Sequence, residues 1–183
     1  MSKAAGSAWQ AVEVYSDFLR IRGEMMISAP LRLSDEVNRL GEYLQLRNTT
    51  TEPLLSSYPV VSPTETNTTI RKASVVMILS EGGQSDQNPM MWREKSRYQV
   101  VLNTTAFSLA ADVHLEARVS LLTQLERSGW EFLPVTRVSA VVVASLSGQP
   151  QGKPPQTLQR DFALVNPRRI VSFSVRGSES PTP

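Results

Sequence analysis

Apolar and polar positions alternate along residues 12–28, with Val12, Val14, Leu19, Ile21, Gly23, Met25 and Ile27 on one face. A period of two over this length predicts two strands or one long bent strand. Arg20, Arg22 and Glu24 take the other positions, so one face is expected to be buried and one wet. The period then changes. LRLSDEVNRLG predicts a short helix capped by Ser34, with Asp35 and Glu36 complementing the positive end of its dipole and Gly41 in a left-handed conformation just past its end. Strand resumes in EYLQLRNTTT.

The same order recurs. A shift of 88 positions sets Val12 on Val100, Val14 on Leu102, Ile21 on Leu109, Gly23 on Ala111 and Arg39 on Arg127. Gly41 falls on Gly129. Trp130 then inserts, and Glu42, Tyr43, Leu44 and Leu46 match Glu131, Phe132, Leu133 and Val135. Agreement across an indel in Arg, Gly and Glu as well as in apolar positions predicts an internal duplication. In the second copy RVSLLTQLERSG is the helix, ending in Gly129, and WEFLPVTRVSAVVVASL is the strand after it. Each copy next inserts a polar, proline-bearing loop and closes with one last strand, IRKASVVMIL or LQRDFALVNPRRIVSFSV. There Ala73, Val75 and Met77 match Phe162, Leu164 and Asn166 at an offset of 89.

The predicted fold is α+β and predominantly antiparallel β, two tandem β-β-α-β-β repeats related by a pseudo-twofold axis, as two small barrels or one pseudo-symmetric sheet. The first β-rich repeat covers 10–82, a linker 83–97, the second repeat 98–176 and a disordered tail 177–183. Like faces of the two copies are expected to pair, with Tyr43, Leu44 and Leu46 inside as Phe132, Leu133 and Val135 are.

Composition narrows the chemistry. The 183 residues, 40% of them hydrophobic, can bury a core. Nineteen Lys and Arg against seventeen Asp and Glu leave +2, too little for an electrostatic footprint on nucleic acid. The absence of cysteine excludes disulfides, thiolate catalysis and Cys-based metal sites. No stretch reads as a secretory signal or membrane span, so a cytoplasmic location is expected. The sequons at Asn48, Asn67 and Asn103 accordingly read as Thr-rich strands and turns.

LRLSDEVNRLGEYLQL and DFALVNPRRIVSF together resemble an uncharacterised family of short bacterial β-rich domains. Its pattern is Leu-Ser-Asp-x-hydrophobic-Asn, then aromatic-Leu-x-hydrophobic, then Val-Asn-x-x-x-Ile. The first element stands only in the first copy (Leu33, Ser34, Asp35, Asn38) and the last only in the second (Val165, Asn166, Ile170). The resemblance implies no activity.

Catalytic sets are scarce. His114, between Val113 and Leu115, is placed on the wet face, and Asp35, Glu36 and Asp161 have no spacing that requires convergence on a metal. No cofactor or metal is expected. Two arginine clusters are the candidate ligand- or partner-binding residues: Trp92 and Arg93 in WREKSRY, and Arg160, Asn166, Arg168 and Arg169 around NPRRI. The chain therefore reads as a non-enzymatic protein-protein interaction or structural module, its partner another protein or itself. The alternative is a nucleotide or nucleic-acid binding module using the arginines, since guanidinium groups grip phosphate and an aromatic stacks on a base. A hydrolase-like enzyme ranks third.

Overall fold

The alternating segment folds as a hairpin, in which β1 (Ala8–Tyr15) turns and returns as β2 (Leu19–Ile27) with Val14 opposite Ile21. Ser16 closes the turn, its hydroxyl oxygen accepting the Leu19 N–H at 3.0 Å. The computed structural model describes residues 6–54, 60, 62–80, 95–116, 119–127, 129–143 and 157–179. After the hairpin come α1 (Leu33–Arg39), β3 (Tyr43–Pro53), β4 (Thr64–Arg71), a 3-10 turn at Lys72–Ser74 and β5 (Met77–Ser80). The second half runs β6 (Lys95–Thr104), β7 (Phe107–Glu116), α2 (Leu121–Arg127), β8 (Leu133–Val142), β9 (Thr157–Val165), a 3-10 turn at Pro167–Arg169 and β10 (Ile170–Glu179).

All ten strands of the described residues join one antiparallel sheet in the order β10-β6-β7-β8-β9-β5-β1-β2-β3-β4. The chain is thus β-rich and predominantly antiparallel, in a single sheet. The halves meet edge to edge, β5 against β9, with Met77 opposite Val165 and Leu79 opposite Ala163. Packing of like faces was the expectation, and a strand joint takes its place because β5 has apolar side chains for both sides of the sheet. Met77 and Leu79 enter one core with the second half, while Ile78 enters the other with the first.

Those two cores interpenetrate. The second half's core takes Tyr15 and Val76 from the first, and the first half's core takes Phe132 and Leu164 from the second. Burying a side chain of Phe132's size, here 0% exposed, contributes about 1.5–3 kcal/mol.

Several expectations change. Each closing segment is two strands parted by a 3-10 turn, not one strand. At the second turn Pro167 fixes φ and Asn166 Oδ1 accepts the Arg168 N–H at 3.0 Å. The two turns lie 95 residues apart, so the offset-89 pairing of Ala73, Val75 and Met77 with Phe162, Leu164 and Asn166 does not hold. Ser34 lies within α1, and the cap contact comes from Asp35, which accepts the Arg32 N–H at 3.2 Å. Neither Gly41 nor Gly129 has a left-handed φ: α1 ends on Leu40 in extended conformation, and an added Cβ at either glycine meets nothing within 4 Å. Leu44, Leu46, Phe132, Leu133 and Val135 are buried, but Tyr43 is 52% exposed at the far end of the sheet, where nothing covers it among the described residues. Strand β6 reaches into the segment 83–97, and β10 extends through Glu179 into 177–183, both held by mutual pairing.

Candidate functional site

Strand β1 sends Glu13 to the face opposite Val12 and Val14, and there it is 2% exposed. Tyr15 Oη donates to Glu13 Oε2 at 2.7 Å. Arg20 Nη2 donates to Oε1 at 2.6 Å, and Arg160 Nη2, from β9 in the other half, donates to the same atom at 3.4 Å. Arg22 Nε stands 3.7 Å away, and Arg20 also reaches Glu52 at 3.4 Å. Burial raises the Glu13 carboxyl, yet the hydrogen bonds from Arg20 and Tyr15 and the charges of Arg20 and Arg160 outweigh it and hold the group below its ordinary value. Burial, then the hydrogen bond to Glu13 and its charge, push the Tyr15 phenol well up. Glu13 therefore stays a carboxylate and Tyr15 a phenol. The pair makes a fixed donor–acceptor tie with no proton to exchange near neutral pH.

A second set of contacts crosses between the halves around the helix and turns. Asn38 on α1 holds Phe132, accepting its N–H at 2.9 Å and donating to its carbonyl at 3.2 Å. Lys72, 4% exposed, donates to the Leu40 carbonyl at 2.5 Å and forms an ion pair with Glu131. Asn166, also 4% exposed, donates to the Val75 carbonyl at 2.9 Å and the Lys72 carbonyl at 3.3 Å. Asp17, in the β1–β2 turn, pairs with Arg169 and accepts from Thr105 in the β6–β7 turn.

Beside the Glu13 cluster an open groove of about 470 Å³ begins where β5 stops at Ser80, lined also by Arg137, Ser139, Gln159, Asp161 and Phe162. Its cations are engaged: Arg160 with Glu13, and Arg137 with Asp112.

The candidate residues separate accordingly. Asn166 is a buried cap and cross-link. Arg160, within β9, and Arg169, in the 3-10 turn after it, are each paired with a carboxylate, and Arg168 is exposed on the same turn. Trp92 and Arg93 lie outside the described residues. His114 is exposed, with Nε2 2.8 Å from Thr136 Oγ1. Asp35 and Glu36 serve α1, Glu36 pairing with Arg39 at 2.6 Å, while Asp161 lies in the groove. Among the described residues no three His, Cys, Asp or Glu side chains are placed to hold a metal ion. No helix among them is long and apolar enough to cross a membrane.

Sequence reasoning missed Glu13, Lys72 and the partner of Asn38. Glu13 sits at an alternate position between two valines, the same signal a solvated residue gives. Comparison with known proteins gives no match to a family, a curated protein or a solved structure.

Proposed function

We propose that the chain is a tandem duplication of one β module and acts as a non-enzymatic protein-binding or scaffolding element, of the kind the short bacterial β-rich domains represent. Three correspondences support the duplication. The strand order is β5-β1-β2-β3-β4 in one half and β10-β6-β7-β8-β9 in the other. Each half has a β-bulge at a matched place, beside Gly23 and beside Ala111. The only non-glycine residues with positive φ among those described, Asn48 and Arg137 at 50°, sit in those two bulges, and each donates to the matched carboxylate, Glu24 or Asp112.

One observation carries the non-enzymatic reading: buried Glu13 and buried Lys72 each pair with an opposite charge from the other half, Arg160 and Glu131, so these charges serve to hold the architecture. The same pairing weighs against the nucleic-acid alternative, because Arg160 and Arg169 already have carboxylate partners. Affinity capture of the whole chain from its host, with and without nuclease, tests both. Retention of protein partners after nuclease is expected. Partners lost on nuclease treatment, with salt-sensitive binding that weakens on neutralising Arg168, would establish the alternative instead.

A further inference from the structure

The inference rests on the duplication proposed above. Two modules joined through β5 of one and β9 of the other leave the counterparts of those strands, β10 and β4, at the two ends of the sheet. The equivalence is fixed by register. Ser80 pairs with Val12 while Val175 pairs with Val100, and Leu44 pairs with Ile70 while Leu133 pairs with Val165. Both comparisons give a shift of 95, because 175 − 80 and 165 − 70 are each 95. Among the described residues β10 pairs only with β6, and β4 only with β3. Among those residues each presents an unpaired backbone edge, which is a template for another strand.

Exposed apolar side chains mark the same two ends. Val76, beside the internal joint, is 0% exposed, whereas its counterpart Val171 is 72% exposed. Phe132, which fills the core of the opposite half, is 0% exposed, whereas its counterpart Tyr43 is 52% exposed. Both positions are covered where a second module adjoins and bare where none does.

We infer that β10 of one chain adds antiparallel to β4 of a second copy, repeating the internal joint between molecules. The register that joins Met77 to Val165 then sets Ser172 of one copy opposite Ile70 of the next, Phe173 opposite Thr69 and Ser174 opposite Thr68. Such a contact is head to tail, so it builds rings or open chains rather than a face-to-face dimer. The side chains set its strength. At the internal joint Met77, Ile78, Leu79, Ala163, Leu164 and Val165 are all at most 1% exposed. At the outer joint Ser and Thr replace most of them, so less apolar surface is buried and association is reversible and concentration-dependent.

The chain has no cysteine, which makes disulfide trapping clean. Residues directly opposite in an antiparallel pair lie about 4.5–5.5 Å apart between Cα atoms, within disulfide reach. Ser174→Cys and Thr68→Cys are made as separate full-length proteins, both at positions that are not buried, then mixed and mildly oxidised. The mixture is expected to yield a mixed covalent dimer that neither variant alone gives. Replacing Thr68→Cys by Asn67→Cys, one residue out of register and on the other face, should abolish it. No mixed dimer, or an equal yield from the off-register pair, overturns the intermolecular joint. A Leu79→Cys, Ala163→Cys double variant reports the internal joint as an intrachain disulfide. Its formation without the mixed dimer rejects the inference alone, and failure of both rejects the architecture beneath it.

Discussion

Asn38 and Phe132 are joined at both ends of one amide: Asn38 Oδ1 accepts the Phe132 N–H at 2.9 Å while Asn38 Nδ2 donates to the Phe132 carbonyl at 3.2 Å. Ninety-four residues separate them. This clasp fixes the start of β8 over α1 and sets the Phe132 ring in the first half's core. Asn38→Ala strands a buried N–H and carbonyl, each at about 1–3 kcal/mol. Urea unfolding should show that loss as a lower midpoint at unchanged slope. A midpoint equal to that of the unmodified chain would mean the clasp is decorative.

Glu13 predicts a pH signature. Its folded-state pKa lies below the unfolded value, so its contribution is full above the unfolded value of about 4.3 and is lost as pH falls through the folded value. Glu13→Gln removes that component. The variant should be less stable at pH 7, and the gap from the parent should close as thermal unfolding is followed down into the acid range. A gap that holds constant with pH would show that the charge of Glu13 contributes nothing.

Gly23, in the β2–β3 bulge, and Gly129, between α2 and β8, differ in tolerance. A Cβ added at Gly23 would lie 2.8 Å from Thr49 Cγ2 and 3.0 Å from the Arg47 carbonyl oxygen. Gly23→Val should cost about 1–3 kcal/mol through overpacking between β2 and β3. Gly129→Val meets open space, so its effect should stay within about 0.5 kcal/mol. Chemical denaturation of the two variants side by side checks the order, and equal losses would contradict it.

Shared cores predict a single transition. Leu164 belongs to the second half's β9 yet is fully buried in the first half's core. Leu164→Ala should cost about 2–5 kcal/mol and raise amide exchange in β2 and β3 along with that in β8 and β9. Exchange that rises in β8 and β9 alone, or two separated thermal transitions, would show independent modules.

Much of the strand layout was legible because alternation records which side chains face a core. Val12, Val14, Ile21, Leu44, Leu46, Leu133 and Val135 are all buried where the period of two put them. The short helices were legible from the change of period. Local pattern did not register the break between β4 and β5 or between β9 and β10, since Lys72 and Asn166 find their partners in the opposite half. The Ser34 and Gly129 expectations failed for a related reason: several local arrangements can end a helix, and packing selects among them.

Alternation, turn residues and composition were enough to specify a β-rich antiparallel chain, its short helices, the placement of His114 and the exclusion of cysteine chemistry, because each depends on residue type and near neighbours. The edge-to-edge joint of β5 with β9, the burial of Glu13 among Tyr15, Arg20 and Arg160, and the contrast between buried Phe132 and exposed Tyr43 arose only in three dimensions. Each depends on which distant strand covers a face, and an alternating segment carries the same pattern whether its second face meets water, an arginine or another core.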